Sequence, residues 1–166
     1  MNVTIRHAAA SDLHALTDIY NHYIVHTPFT FDLVPKTMQQ RAHWMQQFSA
    51  EGPHQLLVAV CEEAVIGYAS SDSFRNKEAY QTSVETSVYL DHRQTRAGVG
   101  TPLYNALFES IGPNDIHRAY AGITQPNEAS VALHTKAGFE LLGIYQEVGR
   151  KFDQYWDVHW FEKRLN

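Results

Sequence analysis

Two glycines spaced as G-x-G, Gly98 and Gly100, stand in the stretch VYLDHRQTRAGVGTPLY between a strand-like run and a helix-like segment. Glycine allows the backbone to approach a ligand closely, and the free amides at the start of a helix lie at the positive end of its dipole. Arg93 and Arg96 add positive charge beside the loop. The pattern is typical of a phosphate or pyrophosphate site, although a tight turn without a ligand also fits two glycines.

The residues that follow Gly100 exclude two familiar phosphate loops. A dinucleotide fingerprint has a third glycine three positions later, where this chain has Leu103, and a P-loop continues with Lys, where this chain has Thr101. Thr101 is a good helix cap, and Pro102 suits the first helical position because its missing N–H would have no partner there. We therefore expect a different phosphate loop, followed by a helix from Pro102 to about Ile111.

A single carboxylate interrupts the apolar and hydroxylated run TSVETSVYLD. Glutamate is depleted in strands, so Glu85 is either a solvent-facing charge or a group kept for its chemistry. A carboxylate at such a place can take a proton from an incoming amine. Alternation along the strand places Val84, Thr86, Val88 and Leu90 on one face, and Glu85, Ser87 and Tyr89 on the other.

Metal and thiol chemistry are not favoured. Among ten histidines, His22 and His26 lie one helical turn apart, but no H-E-x-x-H pattern or Cys/His cluster accompanies them. We expect surface or hydrogen-bonded histidines and no metal. The one cysteine, Cys61, lies in the apolar run LLVAVCE, which favours a buried strand residue and excludes an internal disulfide.

Charge and hydropathy limit the class of partner. The formal net charge is −5 and no basic block occurs, which argues against nucleic acid or an anionic membrane as partner. No apolar run approaches the roughly 18 residues of a membrane span. The start MNVTIRHAAASD has no hydrophobic signal core, so a cytoplasmic protein is expected.

The elements that must position these residues alternate between strand and helix patterns, with hairpins at both ends. A chain of 166 residues suits one domain, residues 1–166. The order predicts an α/β (α+β) fold with a mixed sheet and helices on both faces. The predicted elements are the strand NVTIRHA, a helix capped by Ser11 or Asp12, a helix from a Thr37 cap to about Ala50, the hairpin HQLLVAVCE and AVIGYASSDSF turning at Glu62 and Glu63, the strand TSVETSVYLD, the helix after the glycine loop, the strand RAYAGIT, the helix NEASVALHTKA closed by Gly138, and the strands FELLGIYQEV and YWDVHWFEKRL.

TRAGVG resembles the signature of the GNAT superfamily of acyl-CoA-dependent N-acetyltransferases, in which Gln/Arg-x-x-Gly-x-Gly/Ala opens a helix after a strand. Thr95 replaces the first Gln or Arg, which removes one side-chain contact and leaves the backbone amides; Gln94 or Arg96 could compensate in part. The stretch NEASVALHTKAGF, from Asn127 to Phe139, resembles the second motif of the family. The two motifs identify the chain as a member of the superfamily, which implies the GNAT fold with its mostly antiparallel central sheet.

Four further segments, IYNHYI, FRNKEAY, VETSVYL and WDVHWFEKRL, resemble the phosphinothricin and methionine sulfoximine N-acetyltransferases over nearly the whole chain. The resemblance implies direct transfer of an acetyl group from acetyl-CoA to a small amino-acid-like amine such as phosphinothricin, methionine sulfoximine or methionine sulfone. It also implies a homodimer and a role in resistance to herbicides or antimetabolites.

The same resemblance assigns roles to residues. Glu85 matches the general base, and His134 stands where many GNAT members carry a tyrosine that serves the departing thiolate, as an acid or as an orienting group. Asn127 would bind the amides of the cofactor or position its helix. Acetyl-CoA is expected to contact Val88, Tyr89, Leu90, Arg96, Ala97, Gly98, Val99, Gly100, Thr101 and Asn127.

The acceptor is expected to meet the loop before the central strand. Arg75 is a candidate partner for its carboxylate or for a phosphinyl or sulfoximine oxygen, since guanidinium binds such groups through two hydrogen bonds. The expected substrate-binding residues are Phe31, Arg75, Asn76, Lys77, Glu85, Thr86 and Ser87. Phe29, Phe31 and Trp156 serve equally well as apolar walls of the site or as plain core.

Two other functions fit the same motifs. One is the same chemistry on another acceptor, such as an ordinary amino acid, a polyamine or a protein N-terminus. The other is a domain that binds acyl-CoA without catalysis, to sense it or to assemble with partners. The presence of both Glu85 and His134 argues against the second.

Overall fold

The structure is a computed structural model that describes residues 3–94 and 98–166. Its elements are β1 (Val3–His7), α1 (Leu13–His26), α2 (Met38–Met45), β2 (Leu56–Cys61), β3 (Ala64–Ser73), β4 (Ser83–Leu90), α3 (Gly100–Ile111), β5 (Arg118–Thr124), α4 (Glu128–Lys136), β6 (Glu140–Lys151) and β7 (Gln154–Arg164), with 3-10 turns at Ala10–Asp12 and Glu78–Tyr80. The strands form one sheet in the order β1-β2-β3-β4-β5-β7-β6. Neighbouring strands are antiparallel except β4 and β5, which are parallel.

A hydrophobic core covers each face of this sheet. On one face, Leu103 and Leu107 of α3 are fully buried in the same cluster as Val84 of β4, and α4 packs beside them. On the other face, Leu16 of α1 is fully buried in a cluster with Val58 of β2, and side chains of α2 pack against it. The predicted fold class, a mixed and mostly antiparallel sheet with helices on both faces, is confirmed.

Local sequence signals for strands and turns are also confirmed. β4 alternates as expected, since Val84 belongs to the core under α3 while Tyr89 packs on the α1 side. The β2–β3 hairpin turns at Glu62 and Glu63, whose φ angles are 50° and 67°. Gly138, at φ 87°, follows α4 in the left-handed conformation that a glycine adopts without strain.

The side-chain cap predicted for α1 does not form. A 3-10 turn precedes the helix, and no side chain caps its first turn. The carboxylate of Asp12 instead accepts the backbone N–H of Ala9, upstream in the chain, at 2.7 Å. It also pairs with the guanidinium of Arg6 at 2.7 Å. Asp12 therefore stands at the N-cap position of α1, as one of the two predicted residues, but its side chain does not cap the helix because it closes the preceding turn.

Two other helix ends differ from the prediction. α3 begins at Gly100 with Val99 at the cap, so Thr101 and Pro102 lie inside the first turn. Proline is accommodated there because first-turn N–H groups have no intrahelical partner. α2 is capped by Thr37 as predicted, through the backbone N–H of Gln40 at 3.2 Å, but it ends at Met45 and not near residue 50.

Cys61 is buried at the end of β2, as expected. In the described part of the chain, no helix is long and apolar enough to cross a membrane. The same residues contain no group of three or more His, Cys, Asp or Glu side chains arranged to hold a metal ion.

Candidate active site

The parallel strands β4 and β5 separate after a short paired stretch. Their register runs from Ser83 opposite Arg118 to Glu85 opposite Tyr120, and the described strands show no later pair. The gap beyond is a cavity of about 250 Å³, lined by residues 86–90 of β4, residues 122–124 of β5 and the facing side of α4. We call it the channel. Backbone groups that face a buried gap need hydrogen-bond partners, so the channel fits an extended ligand that carries amide groups.

A second cavity, of about 470 Å³, extends the channel to the start of α3. Gly98 and Gly100 line it, and Leu90 and Leu133 line both cavities. The first turn of α3 presents the positive end of a twelve-residue helix to this cavity. Lys136, in the last turn of α4, adds a cation to its wall. This end of the groove therefore suits an anionic group such as a phosphate.

The two glycines of the loop are required for different reasons. Gly98 adopts φ 108°, a conformation that other residues rarely accept. Gly100 lies against α4, where an added Cβ would come within 2.9 Å of a methyl group of Leu133. Residues 95–97, which include Arg96 and Ala97, lie outside the described residues. Arg93 is already paired with Asp91 at 2.8 Å, so Lys136 is the better placed cation.

Asn127 stands at the beginning of α4 and lines the channel. Its side-chain oxygen accepts the backbone N–H of Ser130 at 3.2 Å, which caps the helix. The position of α4 fixes how His134, two turns further on, faces the channel. Of the two roles expected for Asn127, the geometry supports the positioning of the helix.

His134 is almost fully buried and belongs to a chain of hydrogen bonds. Its Nδ1 lies 2.7 Å from the carbonyl oxygen of Ser130, and its Nε2 lies 2.6 Å from the hydroxyl of Tyr104. The Tyr104 hydroxyl lies 3.1 Å from that of Thr86, which is on β4. The chain therefore links β4, α3 and α4 across the wall of the channel.

The direction of these bonds follows from the groups involved. A carbonyl oxygen only accepts, so Nδ1 of His134 carries the proton that bonds Ser130. Burial lowers the pKa of His134, which keeps the ring neutral at pH 7 and leaves Nε2 as an acceptor. Tyr104 then donates to Nε2, and burial raises the pKa of its hydroxyl, which stays protonated. In this arrangement neither ring nitrogen of His134 offers a proton to the channel.

A cavity of about 390 Å³ lies on the α1–α2 face of the sheet, beside the channel. We call it the polar cavity. Ser87 and Tyr89 of β4 line both spaces, so the two meet at β4. The side chains that matter below are Tyr20, Arg41, Tyr68, Ser70, Asp72 and Ser87.

Glu85 is half-buried and lies directly opposite Asp72 in the β3–β4 register. Burial raises the pKa of Glu85, the negative charge of Asp72 raises it further, and Arg75 lowers it. Burial also raises the pKa of Asp72, which lines the polar cavity. Asp72 and Glu85 thus form a pair of partly desolvated carboxylates with raised pKa values, and Glu85 lies two residues before Ser87 on β4. Such a carboxylate can accept a proton from an amine held near the junction of the two cavities.

Comparison with known proteins decides the family. Residues 5–160 match the acetyltransferase (GNAT) domain family. The chain belongs to the GNAT family of acetyltransferases. It is 48% identical to a phosphinothricin N-acetyltransferase of Streptomyces coelicolor, with 98% of this chain and 96% of that protein covered. It is 31% identical to an L-methionine sulfoximine/L-methionine sulfone acetyltransferase of Pseudomonas aeruginosa, covering 100% and 96%.

Among solved structures, a GNAT phosphinothricin acetyltransferase of Sinorhizobium meliloti in complex with acetyl-CoA superposes with a TM-score of 0.93. The identity is 30%, and the match covers 100% of this chain and 90% of that one. The family resemblance inferred from the two motifs is therefore confirmed for the sequence and for the fold.

In this GNAT chain the residues expected to bind the cofactor fall into two groups. Val88, Tyr89, Leu90 and Asn127 line the channel, and Gly98, Gly100 and Thr101 line its extension. Val99 is buried in the core under α3. The expected contacts at residues 96 and 97 lie outside the described residues.

The residues expected to bind the acceptor do not line one common cavity. Thr86 and Ser87 line the channel beside Glu85. Arg75, Asn76 and Lys77 are exposed and line a separate groove at the start of β4. Their role in the acceptor site stays a prediction.

The three aromatic candidates lie in three different places. Phe29 lines the channel. Phe31 covers Gly149 of β6, and Trp156 lies in another groove with its indole N–H donating to the carbonyl of Lys151 at 2.8 Å. Phe29 is thus the best placed of the three to act as a wall.

Sequence reasoning missed four side chains of this GNAT site. Tyr104, Asp72 and Arg41 lie outside the two motifs, and Lys136 lies within the second motif, which assigns it no role. The signal available was weak: Arg41 and Tyr104 are residues in ordinary helical patterns, and the partnership of Asp72 with Glu85 depends on the register of β3 against β4. None of these can be read from residue type alone.

Proposed function

We propose that this chain transfers the acetyl group of acetyl-CoA to the amino group of a small amino-acid-like acceptor, of the kind that phosphinothricin, methionine sulfoximine and methionine sulfone represent. The observation that carries the proposal is that the channel and the polar cavity meet at Ser87, two residues from Glu85. The names of the relatives support the class of acceptor.

The residues present fit acetyl-CoA, which supplies an activated thioester when bound. The start of α3 and Lys136 suit its phosphates, and the gap between β4 and β5 suits its amide-containing arm. Backbone N–H groups of β4 would polarise a carbonyl placed in the channel near Val88, an interaction of the oxyanion-hole type.

The reaction forms an N–C bond and breaks a C–S bond, so the amine must lose a proton while the sulfur leaves as thiolate. Glu85 accepts that proton, directly or through water, because its raised pKa makes it a stronger base than an ordinary glutamate. His134 orients the sulfur and gives no proton to it, because Nδ1–H is held by Ser130 and Nε2 by Tyr104. No acyl-enzyme is needed, and Cys61 on β2 takes no part. We assign the reaction to the cytoplasm.

The test is acetyl-CoA-dependent thiol release by the purified protein, with phosphinothricin, methionine sulfoximine, methionine sulfone and ordinary amino acids compared at equal concentration. We expect turnover with the first three to exceed turnover with ordinary amino acids by roughly tenfold or more, the scale of one well-placed contact. Equal or faster turnover of a polyamine or a peptide N-terminus would move the function to another acceptor. Tight acetyl-CoA binding without thiol release in the presence of any amine would favour a domain that senses acyl-CoA without catalysis.

We also propose that the protein is a homodimer that covers the edge strand β6. Leu141, Leu142, Ile144, Tyr145 and Val148 of this strand are each about half exposed. A long apolar edge strand is a template for association, and a second copy related by two-fold symmetry would present the same edge.

Light scattering after size exclusion is expected to give a mass of twice 18.9 kDa. Leu142→Glu, which places a charge in the apolar part of the edge, is expected to shift the mass to that of a monomer. Gln146→Glu is the matched control, since it adds the same charge at an exposed polar position of β6. A monomeric wild-type protein at micromolar concentration would contradict the proposal.

A further inference from the structure

The polar cavity contains a buried cation that forms no ion pair with any residue that the structure describes. Arg41 of α2 is 4% exposed, and its guanidinium carbon lies 3.6 Å from the ring centroid of Trp44 and 4.5 Å from that of Tyr20. Its hydrogen bond to the Tyr68 hydroxyl is long, at 3.4 Å, and its Nε has no acceptor. Within residues 3–94 and 98–166, no carboxylate lies within 4 Å of it.

Such an arrangement is costly unless something completes it. A guanidinium carries five N–H donors, and burial of a charge without a partner is strongly unfavourable. Attraction to the faces of Trp44 and Tyr20 offsets part of this cost.

The carboxylates of Asp32 and Asp72 line the cavity wall. Asp32 is already engaged, since it accepts from the Tyr20 hydroxyl at 2.7 Å and pairs with Lys36 at 2.9 Å. Burial raises the pKa of Asp72 and the charge of Arg41 opposes that rise, but the two side chains form no ion pair within 4 Å. The donors of Arg41 are therefore available to an anion that enters the cavity.

The opposite end of the cavity is negative. On the face of the sheet that forms its floor, cross-strand pairs follow one another as Tyr68 with Tyr89, Ser70 with Ser87, and Asp72 with Glu85. Successive pairs on one face are about 7 Å apart. Arg41 lies over the first pair and the two carboxylates form the third, with the serine pair between them. A cation and a carboxylate pair thus face each other across a short polar floor.

We infer that Arg41 binds an oxyanion of the acceptor and thereby selects zwitterionic, amino-acid-like amines. With the oxyanion on Arg41, the ammonium lies over the serine pair, where Ser87 borders the channel and Glu85 is within reach. The inference rests on the proposed function and assigns to Arg41 the role that the sequence suggested for Arg75. Arg75 is exposed in a different groove.

Two sources of the oxyanion are distinguishable, the α-carboxylate and the side-chain oxyanion of phosphinothricin. The experiment compares wild type, Arg41→Lys and the control Arg164→Lys, which makes the same change at an exposed position of β7. Acceptors are phosphinothricin, methionine sulfone and the carboxamide of methionine sulfone. We expect Arg41→Lys to raise KM by roughly 10- to 100-fold for acceptors that place an oxyanion on Arg41, the scale of a lost charge-assisted hydrogen bond. The KM for acetyl-CoA should not change.

A rise for both acids with no rise for the carboxamide identifies the carboxylate. A rise for phosphinothricin alone identifies the side-chain oxyanion. Three results would overturn the inference. The KM could stay unchanged for every acceptor, or it could rise equally for methionine sulfone and its carboxamide. The preference for the acids could also be lost in Arg75→Lys and kept in Arg41→Lys.

A second variant tests the role of Arg41 in case Arg41→Lys does not fold. Tyr68→Phe removes the hydrogen bond between the guanidinium and the Tyr68 hydroxyl and keeps the ring. This variant is expected to raise the KM several-fold for each acceptor that places an oxyanion on Arg41, and to leave the KM for the carboxamide unchanged. Equal effects on all acceptors would count against the role of Arg41.

Thermal stabilisation separates the two proposals. If none of the acceptors supports thiol release by the wild-type protein, the proposed function fails. The inference is then judged by whether phosphinothricin or methionine sulfone, and not the carboxamide, raises the melting temperature of wild type but not of Arg41→Lys.

Discussion

Glu85→Gln is expected to lower turnover at neutral pH by at least tenfold, and by as much as the 10²- to 10⁴-fold that a general base typically contributes. Glutamine keeps the shape of the side chain but cannot take a proton from the attacking amine. Acetyl-CoA binding should survive, because Glu85 does not line the channel or its extension. Steady-state turnover and calorimetric binding of acetyl-CoA measure the two effects separately. Unchanged turnover would remove Glu85 from this role.

Asp72→Asn is the matched variant, since it removes the carboxylate opposite Glu85. The negative charge of Asp72 raises the pKa of Glu85, so its removal should lower that pKa. In wild type the rate falls as pH decreases through the raised pKa of Glu85, because the protonated form is not a base. The acid limb of the pH profile should therefore move to lower pH in Asp72→Asn. A limb that disappears in Asp72→Asn and persists in Glu85→Gln would make Asp72 the base.

The same raised pKa has a consequence for stability. A carboxyl group whose pKa is higher in the folded state binds protons more tightly there, so its favourable contribution is present at low pH and is lost as pH rises through the folded pKa. At pH 7 to 8 the ionised Glu85 costs stability, and Glu85→Gln should melt at a higher temperature than wild type. The difference should vanish below the ordinary glutamate pKa of 4.5. Reduced activity with increased stability would distinguish loss of the base from damage to the fold.

These predictions depend on parts of the site that the sequence predicts unequally. The fold follows from local signals, because alternation in β4, the Glu62–Glu63 turn and Gly138 after α4 each carry a local physical cause. The glycine loop was predictable for the same reason. Helix starts were less so: the Asp12 carboxylate can cap a helix or close the turn before it, and only the surrounding contacts decide.

The acceptor side of the site depends on pairings between distant segments. Asp72 becomes a partner of Glu85 through the β3–β4 register, and Arg41 reaches the same cavity because α2 packs on that face. Residue type pointed to Arg75, since an arginine near the central strand suits an oxyanion. Its exposure in a separate groove could not be read from the sequence.

Removal of one partner from the His134 chain is expected to destabilise the protein, and removal of both is expected to restore much of the loss. Tyr104→Phe leaves Nε2 of His134 buried without a donor, and His134→Leu removes the acceptor of the Tyr104 hydroxyl, which then has only the longer bond to the Thr86 hydroxyl at 3.1 Å among the described residues. Each buried unpaired group costs about 1–3 kcal/mol, which for a chain of this size lowers the melting temperature by roughly 2–4 °C per kcal/mol. The double variant has neither orphan group, so its melting temperature should exceed that of the less stable single variant.

The double variant also decides what His134 does in the reaction. If the His134 ring only holds the wall of the channel and orients the sulfur, the folded double variant should keep turnover within about 10²-fold of wild type. A loss of that size is below the lower end of what a general acid contributes. We expect this result, because Nδ1–H is bound to the Ser130 carbonyl and Nε2 accepts from Tyr104, so no proton points to the channel. A double variant that is well folded and loses more than about 10²-fold in turnover would show that His134 supplies a proton, and that its ring leaves this hydrogen-bond chain when the substrates bind.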